Sequence, residues 1–191
     1  MPEEIKISFT DKILAKVFLP LFPRWIKPNH LTAGRMLLTP FVIYLFWQGI
    51  YLWGGILFLL TSFTDALDGA MARTRNQVTA FGKMFDPLAD KFLICSVVYI
   101  LVLQYVNVYA AWIIIILEAI ILMAAFIKSK RGDQDIQANV WGKIKMILQV
   151  LGVVILLLSI LLNLEQLLQV SKGTFYLAIS FAILSLFTYS I

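Results

Sequence analysis

Residues 36–64 contain no Asp, Glu, Lys or Arg, and neither do residues 92–117, 146–164 and 173–191. A helix needs about 20 mainly apolar residues to cross the hydrocarbon of a bilayer. The first two runs, extended by their flanks, are each long enough for two crossings, divided at Gln48-Gly49 and between Gln104 and Asn107. The pattern predicts six helices, near residues 31–48, 51–73, 85–104, 109–127, 141–163 and 173–190. Continuous runs exclude a β-barrel, whose strands alternate over about ten residues. A chain that is 61% hydrophobic and 14% charged is no ordinary soluble domain, since such domains are about a quarter charged. The expected fold is an all-α integral membrane protein, one domain over residues 1–191. Its single cysteine, Cys95, excludes an intramolecular disulfide and reads as a small buried apolar residue.

The net charge of +5 comes from 16 basic against 11 acidic residues. Fifteen of those 16 basic residues flank the N-terminal segment and the second and fourth loops, and only Lys172 falls on the other side. Basic residues collect on the cytoplasmic side of a membrane. The expectation is a multi-pass protein of the cell membrane with both termini inside, and with lipids rather than nucleic acid as its charged neighbours. Ile13, Leu14, Val17, Phe18 and Leu21 share one helical face opposite Asp11, Lys12 and Lys16, within an N-terminal segment of residues 1–28. That pattern predicts an interfacial helix lying on the anionic leaflet. The acidic start, with no compact apolar stretch behind it, argues against a cleaved signal peptide. Trp25, Trp47, Trp53, Trp112 and Trp141 stand near predicted span ends, as interface anchors do.

Four aspartates break the apolar pattern. An Asp at the centre of a membrane helix costs about 2.5–3.5 kcal/mol on insertion scales, so intramembrane carboxylates point to function. Asp65 and Asp68 are three residues apart, and Gly69, Ala72 and Arg73 continue their face. On the next helix Gly82, Asp86 and Asp90 recur every fourth residue. A short loop makes the two helices antiparallel neighbours, so their acidic faces can meet. Clustered carboxylates need cations, and oxygen ligands without His or Cys select Mg²⁺, Mn²⁺ or Ca²⁺ over Zn²⁺. Two such ions make a phosphoryl-transfer site. Arg73 offers a guanidinium fork to phosphate, and the small residues leave room for a bulky group against the helix backbone. An ion-paired helix interface and a cation channel or transporter are the alternatives from other classes.

Asp65-Ala-Leu-Asp68-Gly69-Ala-Met-Ala72-Arg73, then Gly82-Lys-Met-Phe-Asp86-Pro-Leu-Ala-Asp90, resembles in full the signature of the CDP-alcohol phosphotransferases. The resemblance implies transfer of a phosphoalcohol from a CDP-linked lipid to an acceptor hydroxyl, with release of CMP. It implies two divalent ions, Mg²⁺ or Mn²⁺, on Asp65, Asp68, Asp86 and Asp90, with Ca²⁺ a non-productive occupant. It further implies a CDP site on Gly69, Ala72, Arg73, Asp65 and Asp68, Asp90 as the general base, and a homodimer. Asn29, Thr32 and Arg35, at the mouth of the first helix, are further candidates for holding the donor phosphates.

For the acceptor, Gly142-Lys143-Ile-Lys145-Met-Ile-Leu-Gln149 and Asn76-Gln-Val-Thr-Ala-Phe-Gly82 are similar to the phosphatidylglycerophosphate synthases of the family, which use glycerol 3-phosphate. Lys143, Lys145 and Arg131 suit a phosphorylated alcohol, and Glu118, an intramembrane carboxylate, calls for a cationic partner among them. That subgroup usually carries Arg before this Glu, where the chain has Leu117. Pro28-Asn29-His30-Leu31-Thr32 and Arg35-Met-Leu-Leu-Thr-Pro40 also look like cardiolipin synthases, whose acceptor is phosphatidylglycerol, and inositol phosphate or serine remain further alternatives.

Overall fold

A computed structural model describes residues 16–18, 28–74, 80–130 and 140–189, with backbone alone at 66, 80–88, 125–126, 128–130 and 189. Among the described residues all regular structure is helical. The helices are α1 (Pro28–Trp47), α2 (Tyr51–Thr74), α3 (Ala80–Tyr105), α4 (Val108–Lys130), α5 (Val140–Leu162) and α6 (Glu165–Tyr189). Among the described residues three segments, Tyr51–Thr74, Val140–Leu162 and Glu165–Thr188, are long and apolar enough to cross a membrane, and Val108–Ala124 is a shorter apolar stretch. The chain divides into two compact units, Met1–Leu93 and Ile94–Ile191, the boundary falling inside α3.

In the first unit α1 packs on α2. Pro28 occupies the first turn of α1, where its missing N–H costs nothing and its fixed φ suits the helix. The helix ends in a left-handed glycine cap. Gly49 has φ +74°, its N–H bonds Phe46 O at 3.1 Å, and the Ile50 N–H reaches back to Leu45 O at 2.9 Å. This paired closure satisfies the last carbonyls and reverses the chain within a few residues. The interfacial helix expected over residues 1–28 falls outside the described residues save 16–18, a helical turn whose Phe18 ring meets Phe63 edge-on at 4.9 Å.

In the second unit α6 packs on both α5 and α4. Asn107 caps α4, its Oδ1 accepting the Tyr109 N–H at 2.7 Å, the N-cap geometry that satisfies an orphan donor. Helix α5 ends at Asn163, a left-handed residue with φ 53°, and the Leu164 N–H bonds Ser159 O at 3.0 Å. Helix α6 then starts at once, with Glu165 in its first turn. The start expected near residue 173 is therefore too late by two turns. Glu165 suits the positive helix end, and residues 165–172, polar enough to read as a loop, continue the helix. Close approach of α5 and α6 rests on Gly152, where an added Cβ would lie 2.8 Å from the Phe175 ring. There the Ser171 hydroxyl donates to Gly152 O at 2.9 Å. Trp141 stacks on Phe181 at 5.7 Å.

Large apolar side chains are exposed along the helices, among them Leu37, Phe41, Trp53, Tyr109, Ile147 and Phe187. Exposed apolar surface on this scale would be an aggregation liability in water and is the normal outer face of a protein in lipid. Trp47, Trp53, Trp112 and Trp141 are all exposed.

Candidate functional site

The first unit gathers its charged groups where α1 meets α2. Asp65 and Asp68 lie one turn apart on α2, so both carboxylates leave the same face. Arg35 of α1 reaches them both. Its Nη1 donates to Asp65 Oδ1, and its Nη2 donates to Asp68 Oδ2 at 3.0 Å. The Arg35 side chain is 0% exposed, while those of Asp65 and Asp68 are 38% and 3% exposed. The Thr32 hydroxyl, one turn before Arg35, donates to Asp68 Oδ2 at 3.4 Å. A guanidinium presenting two parallel N–H groups is the side chain best shaped to bridge two carboxylates. Arg35 Nε, also buried, has no partner among the described residues.

Asp90, half-buried on α3, belongs to this group, since the charges of Asp65 and Arg35 both act on its carboxyl. On α2 the Arg73 side chain folds back over Gly69, its Nη2 3.1 Å from where a Cβ would stand. A side chain larger than hydrogen there would displace it. Ala72 and Asn29 are half-buried and Thr32 is buried. The Asp86 side chain falls outside the described residues. Among the described residues no three acidic, His or Cys side chains converge into a metal-binding group. The all-oxygen donor pair Asp65–Asp68 fits hard divalent ions in chemistry.

The second unit buries a separate polar cluster between α4 and α5. Lys145 Nζ donates to Glu118 Oε1, and the side chains are 3% and 7% exposed. Gln149, one turn beyond Lys145, donates from Nε2 to the same oxygen at 3.2 Å. Lys143 is exposed while Lys145 is buried. Two residues along a helix turn the side chain by about 200°, so these lysines leave opposite faces. Arg131 lies outside the described residues.

The sequence groups Arg35 with Asn29 and Thr32 toward the donor phosphates, whereas the fold sets it, fully buried, on Asp65 and Asp68. The available signal was its position, a lone cation leading into the long uncharged run of α1. Gln149 was equally findable, four residues after Lys145 and so on its face.

Residues 25–187 match the model of the CDP-alcohol phosphatidyltransferase family. A protein of Rickettsia typhi (strain ATCC VR-144 / Wilmington), called CDP-diacylglycerol–glycerol-3-phosphate 3-phosphatidyltransferase, is 48% identical over 77 residues, 39% of this chain and 43% of its own length. One of the same name from Bacillus subtilis (strain 168) is 36% identical over 149 residues, 69% of this chain and 76% of its own length. A third, from Mycoplasma pneumoniae (strain ATCC 29342 / M129 / Subtype 1), is 32% identical over 126 residues, 66% of this chain and 56% of its own length. The chain thus spans less than half the length of the Rickettsia relatives it matches. It belongs to the CDP-alcohol phosphatidyltransferase family, and its apolar helices make it a membrane protein.

Proposed function

We propose that the chain is a phosphatidyltransferase that moves a phosphatidyl group from CDP-diacylglycerol to the hydroxyl of glycerol 3-phosphate and releases CMP. The observation that carries this reading is the Asp65–Asp68 pair on one face of α2, with Asp90 in electrostatic reach, inside the family's full signature. Relatives named for glycerol 3-phosphate transfer support the choice of acceptor.

Asp65, Asp68, Asp86 and Asp90 would hold two divalent ions, Mg²⁺ or Mn²⁺. Such ions, when bound, supply positive charge against the pyrophosphate of the donor and the leaving CMP. The residues of the chain do the rest. Arg73, lying over Gly69, offers its fork to a donor phosphate, while Gly69, Ala72, Asn29 and Thr32 shape the CDP site. Asp90 accepts the proton of the acceptor hydroxyl as its oxygen attacks the lipid-bearing phosphorus. The new P–O bond forms as the anhydride P–O bond to CMP breaks. Lys145, with Arg131, would receive the acceptor phosphate, Lys143 on the opposite face would contribute less, and Glu118 with Gln149 would hold the Lys145 ammonium in place.

The same reading has all six helices crossing the membrane, the site opening to the cytoplasm, an interfacial N-terminal helix, and two copies forming a homodimer. Leu117 beside Glu118, in place of the arginine usual in glycerol-phosphate enzymes, favours phosphatidylglycerol as the second-choice acceptor. Incubating the pure protein with CDP-diacylglycerol, Mg²⁺ or Mn²⁺ and a panel of acceptors, and following CMP, tests the reading. Release of CMP with glycerol 3-phosphate far above phosphatidylglycerol is expected. No CMP with any acceptor would overturn it.

A further inference from the structure

Arg35 bridges both Asp65 and Asp68 where α1 meets α2. The Arg35 side chain is wholly buried, it meets one carboxylate with each terminal nitrogen, and its Nε has no partner among the described residues. A buried N–H without a partner is costly, so the two carboxylates rather than its own best bonding dictate where this guanidinium sits. Removing the partner of a buried carboxylate is strongly destabilising. Asp68, at 3% side-chain exposure, cannot fall back on water as Asp65 can.

We propose that Arg35 is the resident counter-ion of the Asp65–Asp68 pair: it holds the two carboxylates on one face of α2 when no divalent ion is bound, and competes with the ion that replaces it. Arg35 is therefore a positioning residue acting through the aspartates. This rests on the reading of those aspartates as metal ligands. The consequence is a trade. Without Arg35 the metal-free protein is less stable, because the two carboxylates lose the cation that bridges them. For the same reason it binds a divalent ion more tightly, because no fixed positive charge opposes the ion at hydrogen-bond distance.

The test uses the full chain purified in detergent, as wild type, Arg35→Gln and Arg35→Lys. Thermal unfolding is followed in chelator and in Mn²⁺, and Mn²⁺ binding is measured directly by its electron paramagnetic resonance signal. In chelator, Arg35→Gln should unfold about 6 °C or more below wild type, as expected for a broken buried pair in a chain of this size. Its Mn²⁺ dissociation constant should be lower by roughly tenfold, and Mn²⁺ should raise its unfolding temperature more than that of wild type. Arg35→Lys keeps the charge but lacks the two-nitrogen guanidinium fork, so it should fall between the two in both measurements. It supplies the same readouts if Arg35→Gln does not fold in chelator. Lower stability with unchanged or weaker Mn²⁺ binding would reduce Arg35 to a structural contact and overturn the inference, as would unchanged stability in chelator. Absence of Mn²⁺ binding by wild type itself would instead overturn the metal-site reading on which the inference rests.

Discussion

Lys145 on α5 donates its ammonium to Glu118 on α4 with both side chains buried, and Gln149 donates to the same carboxylate oxygen at 3.2 Å. A buried pair of this kind is held by mutual need, since each charge alone would be without compensation. Glu118→Gln should therefore destabilise the protein by about 3–5 kcal/mol. The double variant Glu118→Gln with Lys145→Met should lose clearly less than the sum of the singles, because neither charge is then stranded. Unfolding of the four proteins in detergent closes the cycle, and additive losses would show that the pair is not coupled.

The opposite faces of Lys143 and Lys145 separate their roles. If Lys145 meets the acceptor phosphate, its charge-assisted bond contributes about 1.5–3 kcal/mol. Lys145→Met should then raise the KM for glycerol 3-phosphate by roughly tenfold or more, with the KM for the CDP-lipid nearly unchanged. Lys143→Ala, at an exposed position, should have the smaller effect. Initial rates with both substrates varied decide it, and equal KM shifts for donor and acceptor would count against the assignment.

The aspartates should separate by function. Asp65→Asn, Asp68→Asn and Asp86→Asn keep shape and remove charge, so metal-dependent CMP release should fall by roughly a hundredfold or more, partly restored at high Mn²⁺. Asp90→Asn should lower turnover by about 10²–10⁴-fold, the usual contribution of a general base, while nucleotide binding changes less. Near-normal turnover in any of the four would contradict the assigned site.

Helices α5 and α6 pack tightly at Gly152. Gly152→Ala would push a methyl into the fully buried Phe175 ring, 2.8 Å away. Overpacking of this kind costs about 1–3 kcal/mol. Adding Phe175→Leu should recover part of that loss by making room, and thermal unfolding of the single and double variants would register the recovery.

Orientation is open to labelling. On a Cys95→Ser background, single cysteines at Gln77, Asp133 and Gln166 should react from the outside only at position 166, in the exposed first turn of α6. Labelling at 77 or 133 alone would reverse the topology and move the proposed site to the outer face.

Much of the protein is determined by local chemistry and so is legible in the chain alone. Uncharged runs of span length dictate helices, because backbone groups in lipid must bond within their own segment. Four aspartates at helical spacing mark the candidate site, because carboxylates within apolar helices are costly. The helix starts were less legible. Residues 165–172 look like a loop by polarity, yet Asn163 accepts a left-handed cap and Glu165 suits the next helix start, so α6 begins two turns early. What the tertiary structure decided was the choice of partner. Lys83, Lys91, Arg73 and Arg75 are the nearest cations to the aspartates in the chain. Arg35, 30 residues before Asp65, bridges Asp65 and Asp68 as well, because α1 packs on α2 and buries that side chain against its acidic face. In the same way, Glu118 had three cations to choose from, and the packing of α5 brought it Lys145. Spacing along one helix sets which residues share a face, but which face meets which depends on how separate helices pack, and that is settled only when the whole chain folds.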